Sequence, residues 1–263
     1  MAIKFRFACH LITWGGEPNQ NPEKVLNEVA SAGYEGVEGL PIKSPENLVE
    51  MGTLAAKYNL HIVNAGGSSP EMGINYNITL GNKAAEVPAC GRGNFGGPDP
   101  TDADFRKAGE SLKNIIAYAQ EHNIKPFHHA HLGTMIETVE DAEKMLEAAP
   151  GLYLLFDTGH LTGARSNALR VFDKLGDRIA HVHLKDFTAK DPNTWNHRKD
   201  KWGEDGRFED LGKGNMGLDV KAILKGLEKF GYDGWVSVEQ DQATHHTPAE
   251  TAVVNMEYLK SLL

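Results

Sequence analysis

Two rhythms of apolar residues trade places along the chain. Short apolar runs of strand length occur at Phe5–His10, Gly36–Glu38, Leu60–Asn64, Lys125–His131, Leu152–Asp157, Ile179–Lys185 and Gly234–Glu239. Between them lie stretches with the spacing of amphipathic helices. These predict helices over Pro22–Ala32, with Gly33 as the C-terminal stop, Glu46–Tyr58, Asp102–His122, Thr138–Ala149, Asn167–Leu175, Leu218–Phe230 and Pro248–Leu262. The remaining strand of the series is expected at Val87–Cys90, inside a segment rich in Gly, Asn and Pro. Eight strands alternating with helices over 263 residues predict an α/β fold, a single (β/α)8 TIM barrel over 1–263. An open doubly wound sheet is the structural alternative, but no Gly-x-Gly-x-x-Gly turn follows the first strand. The excursions 65–100 and 186–217 exceed ordinary connection lengths and read as lids or binding loops. Both leave C-terminal strand ends, where barrel active sites lie.

The strand ends change the picture from fold to chemistry. Three apolar runs end in Asp157-Thr-Gly-His160, in His181-Val-His183-Leu-Lys185 and in Val238-Glu239. Burying such groups is unfavourable unless something pairs with them, and a metal ion at a barrel mouth is a natural partner. His10, Glu38, Asn64, Cys90 with Arg92, and His129 with His131 close other strands. Alternate strand residues share a face, so His181, His183 and Lys185 point the same way. Plainer readings stand beside these. Asp157 fits a helix N-cap, His181 and His183 fit hydrogen-bonded core residues, and Glu239 fits a solvated strand end. Thr134 and Glu137 fit a capping box. Trp14 fits a core aromatic as well as a wall of a sugar pocket. Two carboxylates with imidazoles and little sulfur favour Mn²⁺, Co²⁺, Zn²⁺ or Mg²⁺ over a closed structural zinc site.

Composition narrows the partners. With 27 basic and 36 acidic residues the net charge is −9, which disfavours nucleic acid and anionic membrane surfaces. Two cysteines without Cys-x-x-Cys spacing exclude a disulfide framework. No run approaches the roughly 18 apolar residues of a membrane span, and the N-terminus alternates like a strand rather than a signal peptide. The expectation is a cytoplasmic protein acting on a small molecule, with homo-oligomerisation left open.

Taken together, Asp157-Thr-Gly-His160, His181-Val-His183-Leu-Lys-Asp186, Leu211-Gly-Lys-Gly214 and Val238-Glu239 resemble the xylose-isomerase-like sugar isomerase and epimerase barrels. His10-Leu-Ile-Thr-Trp14-Gly and His128-His-Ala-His-Leu-Gly-Thr-Met-Ile-Glu137-Thr resemble the inosose dehydratase branch more narrowly. The resemblance implies one divalent metal, Mn²⁺ first, held by residues from the last four strands. Asp157, His183 and Glu239 match three of those positions. Where epimerases end the fifth strand in glutamate this chain has His129, so the dehydratase-like motif implies Glu137 as the fourth ligand, with His129 the second choice or a substrate contact.

The activity so implied is that of a metal-dependent carbon–oxygen lyase, or alternatively a sugar isomerase or 3-epimerase. It would act on a keto-sugar or keto-cyclitol through an enediolate. Glu239 or a histidine of the 129–131 cluster would take the proton, with Glu137, His160 and Lys185 as further catalytic groups. His10, Trp14, Asn64, Arg92, His129 and His131 would contact substrate. A metal-dependent phosphodiesterase would want a basic track that the charge does not supply, and a non-catalytic barrel subunit is the remaining class.

Overall fold

In the computed structural model, which describes residues 5–88, 90–91 and 97–263, eight parallel strands curl into one sheet. They are β1 (Arg6–His10), β2 (Gly36–Glu38), β3 (His61–Val63), β4 (Ala84–Glu86), β5 (Lys125–His129), β6 (Tyr153–Asp157), β7 (Ile179–Leu184) and, last in the chain, β10 (Trp235–Val238). β8 (Asp186–Ala189) and β9 (Gly206–Glu209) pair apart from them as an antiparallel hairpin. The order β3-β2-β1-β10-β7-β6-β5-β4 sets the first strand beside the last, as in a TIM barrel. The helices are α1 (Glu17–Gln20), α2 (Pro22–Ala32), α3 (Pro45–Lys57), α4 (Pro70–Thr79), α5 (Asp102–Glu121), α6 (Val139–Ala148), α7 (Thr158–Gly163), α8 (Val171–Lys174), α9 (Val220–Lys229) and α10 (Pro248–Leu262). No helix among the described residues is long and apolar enough to cross a membrane.

Alternation along each strand divides the work. Phe7, Val37, Phe156 and Val182 belong to one apolar cluster with Val25, Leu26 and Val29 of α2. The alternate positions, His10, Glu38, His129, Asp157, His183 and Glu239, gather at the C-terminal end of the barrel.

β3 and β4 share no backbone ladder among the described residues. Amide side chains bridge them instead. Asn82 Nδ2 donates to Ile62 O at 3.0 Å, and Asn64 Oδ1 accepts from Glu86 N at 3.3 Å. Buried Asn77 satisfies both backbone groups of Ala65, accepting at 3.1 Å and donating at 2.9 Å. Asn64 has φ +46°, a left-handed conformation that asparagine tolerates better than most residues.

Several boundaries differ from the sequence expectation. The fourth strand is Ala84–Glu86, not Val87–Cys90. Pro88 has no N–H for a ladder, and Cys90 N donates instead to His128 Nε2 at 2.8 Å. The 65–100 excursion contains α4, because Ser69 Oγ caps Met72 N at 3.2 Å and Pro70 begins the helix. The 186–217 excursion is not a plain polar loop. Its hairpin folds around an apolar knot of Phe187, Ala189, Trp195 and Phe208. The helix expected at 167–175 is a 3-10 turn, Ala168–Arg170, followed by the short α8.

Candidate metal centre

The site begins with backbone register. Asp157 pairs with His183 between β6 and β7, and Val238 pairs with Leu184, so Asp157, His183 and Glu239 stand side by side. His129 closes β5 next to them. Ligand atoms of His129, Asp157, His183 and Glu239 lie within 4.8 Å of one another. His129 Nε2 is 3.2 Å from Asp157 Oδ2, and His183 Nδ1 is 3.7 Å from the same oxygen and 2.7 Å from Glu239 Oε2. Lys185 Nζ completes the cluster, 3.0 Å from Glu239 Oε2 and 2.7 Å from Asp241 Oδ1, with Phe208 3.9 Å beneath it.

Asp157 caps a helix and also borders the cluster. Oδ1 caps α7 by accepting from His160 N at 2.8 Å, which leaves Oδ2 to the cluster. Gly159 is needed in that turn. A Cβ there would stand 2.6 Å from Lys185 Cγ, in the path of the lysine stem. Gly39, at φ +78°, likewise leaves room for the His10 ring, which a Cβ would approach to 2.9 Å.

Opposed charges set the electrostatics. Burial by itself would raise the Glu239 carboxyl, but Lys185 and His183 hold it well below the usual range. Burial works against Asp157 ionisation in the same way, and His160 and Lys185 outweigh it. For His183, burial favours the neutral ring, and the carboxylates of Glu38 and Glu239 push it well above its ordinary value. His160 goes the other way, driven well below by burial. Its Nδ1 accepts from Leu132 N at 3.4 Å, leaving Nε2, 4.0 Å from Asp157 Oδ2, as the ring N–H.

The remaining predicted residues scatter more. His10 Nδ1 lies 4.0 Å from Glu239 Oε1. His131 stacks on His160 with ring centroids 3.6 Å apart. Asn64 holds Glu38 at 2.8 Å. Trp14 does not face the mouth. It is buried in the core, and its Nε1 donates to Glu28 Oε2 at 2.7 Å. Arg92 lies outside the described residues. Glu137, expected as the fourth ligand, is not in the cluster. Its Oε1 accepts from Gly133 N at 2.8 Å, and its Oε2 meets His197 Nε2 and Arg198 Nη2, each at 3.1 Å. Nor does Thr134 form a capping box with it. Thr138 and Asp141 cap α6. Sequence reasoning gave no role to Glu38, buried against both His181 and His183, or to Asp241 beside Lys185.

A model of the family described as xylose isomerase-like TIM barrel matches residues 71–262. The chain belongs to that family. An inosose dehydratase of Clostridium perfringens (strain 13 / Type A) is 33% identical over 168 residues, covering 60% of this chain and 55% of that protein. The inosose dehydratase of Clostridium beijerinckii is 27% identical over 268 residues, covering 90% and 88%. The match thus spans about half the first relative's length and most of the second's. Among solved structures, D-allulose 3-epimerase from Methylomonas sp. superposes with a TM-score of 0.71 at 17% identity over 100% of both chains. A probable 3-DHS dehydratase from Bacillus anthracis gives 0.69 at 15%, over 97% of this chain and 99% of that one. These two share the fold.

The donors present could hold a divalent metal ion. Buried His183 Nδ1 lies 2.7 Å from Glu239 Oε2 and 3.7 Å from Asp157 Oδ2. Two imidazoles and two carboxylates converging in this way form a mixed nitrogen and oxygen donor set.

Proposed function

We propose that this chain is a divalent-metal-dependent enzyme that eliminates water from a keto-sugar or keto-cyclitol through an enediolate, in the manner of an inosose dehydratase. The observation that carries the reading is the convergence of His129, Asp157, His183 and Glu239, whose donor atoms lie within 4.8 Å of one another. The named activity of the curated relatives supplies the substrate class. His129 takes the fourth ligand position in this reading, and Mn²⁺ heads the metals that suit the donors, ahead of Co²⁺, Zn²⁺ and Mg²⁺.

When bound, the metal supplies Lewis acidity toward a ketone and its neighbouring hydroxyl, making the adjacent C–H acidic. Glu239 accepts that proton on its carboxylate, which Lys185 at 3.0 Å keeps ionised. The C–H electron pair becomes the new C=C bond as the β-carbon–oxygen bond breaks. The proton held by Glu239 passes to the departing hydroxyl, which leaves as water, while His160 Nε2–H donates a hydrogen bond to that oxygen. His10 and His131 contact the substrate's other hydroxyls. Positioned proton transfer of this kind is worth roughly 10²–10⁴-fold.

Glu239→Gln tests the assignment directly. The variant should keep the fold and lose solvent-deuterium exchange at the substrate α-carbon, followed by NMR with a keto-cyclitol and Mn²⁺. Full exchange in Glu239→Gln removes Glu239 as the base. Exchange without water loss in the native chain selects epimerisation instead.

A further inference from the structure

Glu38 has no part in the chemistry above, yet it is one of the most completely held groups in the barrel. It ends β2 at 1% exposure. Oε1 meets His183 Nε2 at 3.1 Å and Asn64 Nδ2 at 2.8 Å, while Oε2 meets His181 Nε2 at 2.9 Å. The donors come from β7 and from the residue after β3, so one carboxylate ties together opposite parts of the wall. His181 cannot easily swing away, because it stacks on Phe127 with centroids 5.3 Å apart and planes 17° from parallel.

The consequence lies in which nitrogen of His183 carries hydrogen. A carboxylate surrounded by three nitrogens accepts from each, so Nε2 of His183 is an N–H and Nδ1 is the nitrogen turned toward the cluster. That Nδ1 faces Glu239 Oε2 at 2.7 Å and Asp157 Oδ2 at 3.7 Å and is aligned for a hydrogen bond with neither. Those two carboxylate oxygens make the Nδ1 position one for positive charge, a proton on the ring or a metal ion in its place.

We propose that Glu38 is the positioning residue of the metal centre, fixing the tautomer and ring plane of His183, with His181 and Asn64 fixing Glu38 in turn. The inference rests on the metal reading above and extends it to a residue on the opposite side of the barrel. Outer-sphere partners of a metal-binding histidine are typically worth 10–100-fold in affinity.

Titrating metal-stripped native chain and Glu38→Gln with Mn²⁺ and Co²⁺ tests this. The native chain should bind one ion, and Glu38→Gln should bind it about 10–100-fold more weakly with an altered cobalt absorption band. ¹⁵N-histidine spectra of the zinc-loaded native chain should show His183 as the Nε2–H form, a readout that needs no variant to fold. Unchanged affinity and band in Glu38→Gln, or an Nδ1–H form in the zinc-loaded native chain, overturns the inference, since a mere brace between strands would move neither. A native chain that binds no divalent ion overturns the metal reading itself.

Discussion

Asp157 divides its carboxylate between a helix and a site, Oδ1 toward His160 N and Oδ2 toward His129 and His183. That division predicts the behaviour of Asp157→Asn. The cap requires an acceptor at the Oδ1 position, so the amide nitrogen must take the Oδ2 position and point its hydrogens at the cluster. Far-UV circular dichroism should be unchanged while Mn²⁺ affinity, by isothermal titration, falls more than about 100-fold, beyond the loss typical of an outer-sphere change. His128 makes a second residue-scale prediction. Its Nε2 accepts from Cys90 N at 2.8 Å and its Nδ1 lies 3.0 Å from His129 O, so the fold holds it neutral. Burial takes it from 6.5 to about 4. The unfolded chain therefore takes up this proton first as the pH drops. The stabilisation is complete above about pH 6.5 and is lost progressively toward about pH 4, a difference of about 3 kcal/mol from this group. Denaturant melts across that range should show the slope, and His128→Gln should flatten it.

Among the elements, the turn after β5 tests how motif and strand logic compare. Lys125, Phe127 and His129 share a strand face, and that alternation points to His129. The likeness of the following Gly-Thr-Met-Ile-Glu run to dehydratases points to Glu137. The geometry sides with the strand, because the turn carries Glu137 to His197 and Arg198 of the 186–217 excursion instead. His129→Ala should accordingly lose at least about 10-fold in Mn²⁺ affinity, whereas Glu137→Gln should stay within about 3-fold, smaller than a typical outer-sphere loss. Equal losses in the two variants would restore Glu137 to the ligand set. The three strand ends Asp157, His183 and Glu239 were legible because long apolar runs lead to them. Glu38 was legible as a strand end but not as a partner of His181 and His183, which lie 143 and 145 positions away. In α4, the cap signal Ser69-Pro70 stands within glycine- and asparagine-rich sequence that hides the helix.

At the scale of the molecule, the eightfold alternation was enough to foresee the barrel, because each run buries a face that only neighbouring elements can cover. The joint between β3 and β4 was not foreseeable, since it depends on amides rather than on hydrophobic period. Asn77→Ala would strip Ala65 of both backbone partners in a buried place. It should lower unfolding free energy by about 2–6 kcal/mol, at roughly 1–3 kcal/mol for each unsatisfied group. Hydrogen exchange should rise first at 61–65 and 84–86. A ladder of backbone bonds is the same for every sequence, but a joint of side chains is written in codons. Here the bore of the barrel becomes a heritable quantity: single substitutions at Asn77 or Asn82 can loosen or tighten one arc of the wall, while Asn64 alone carries such a change through Glu38 to His183.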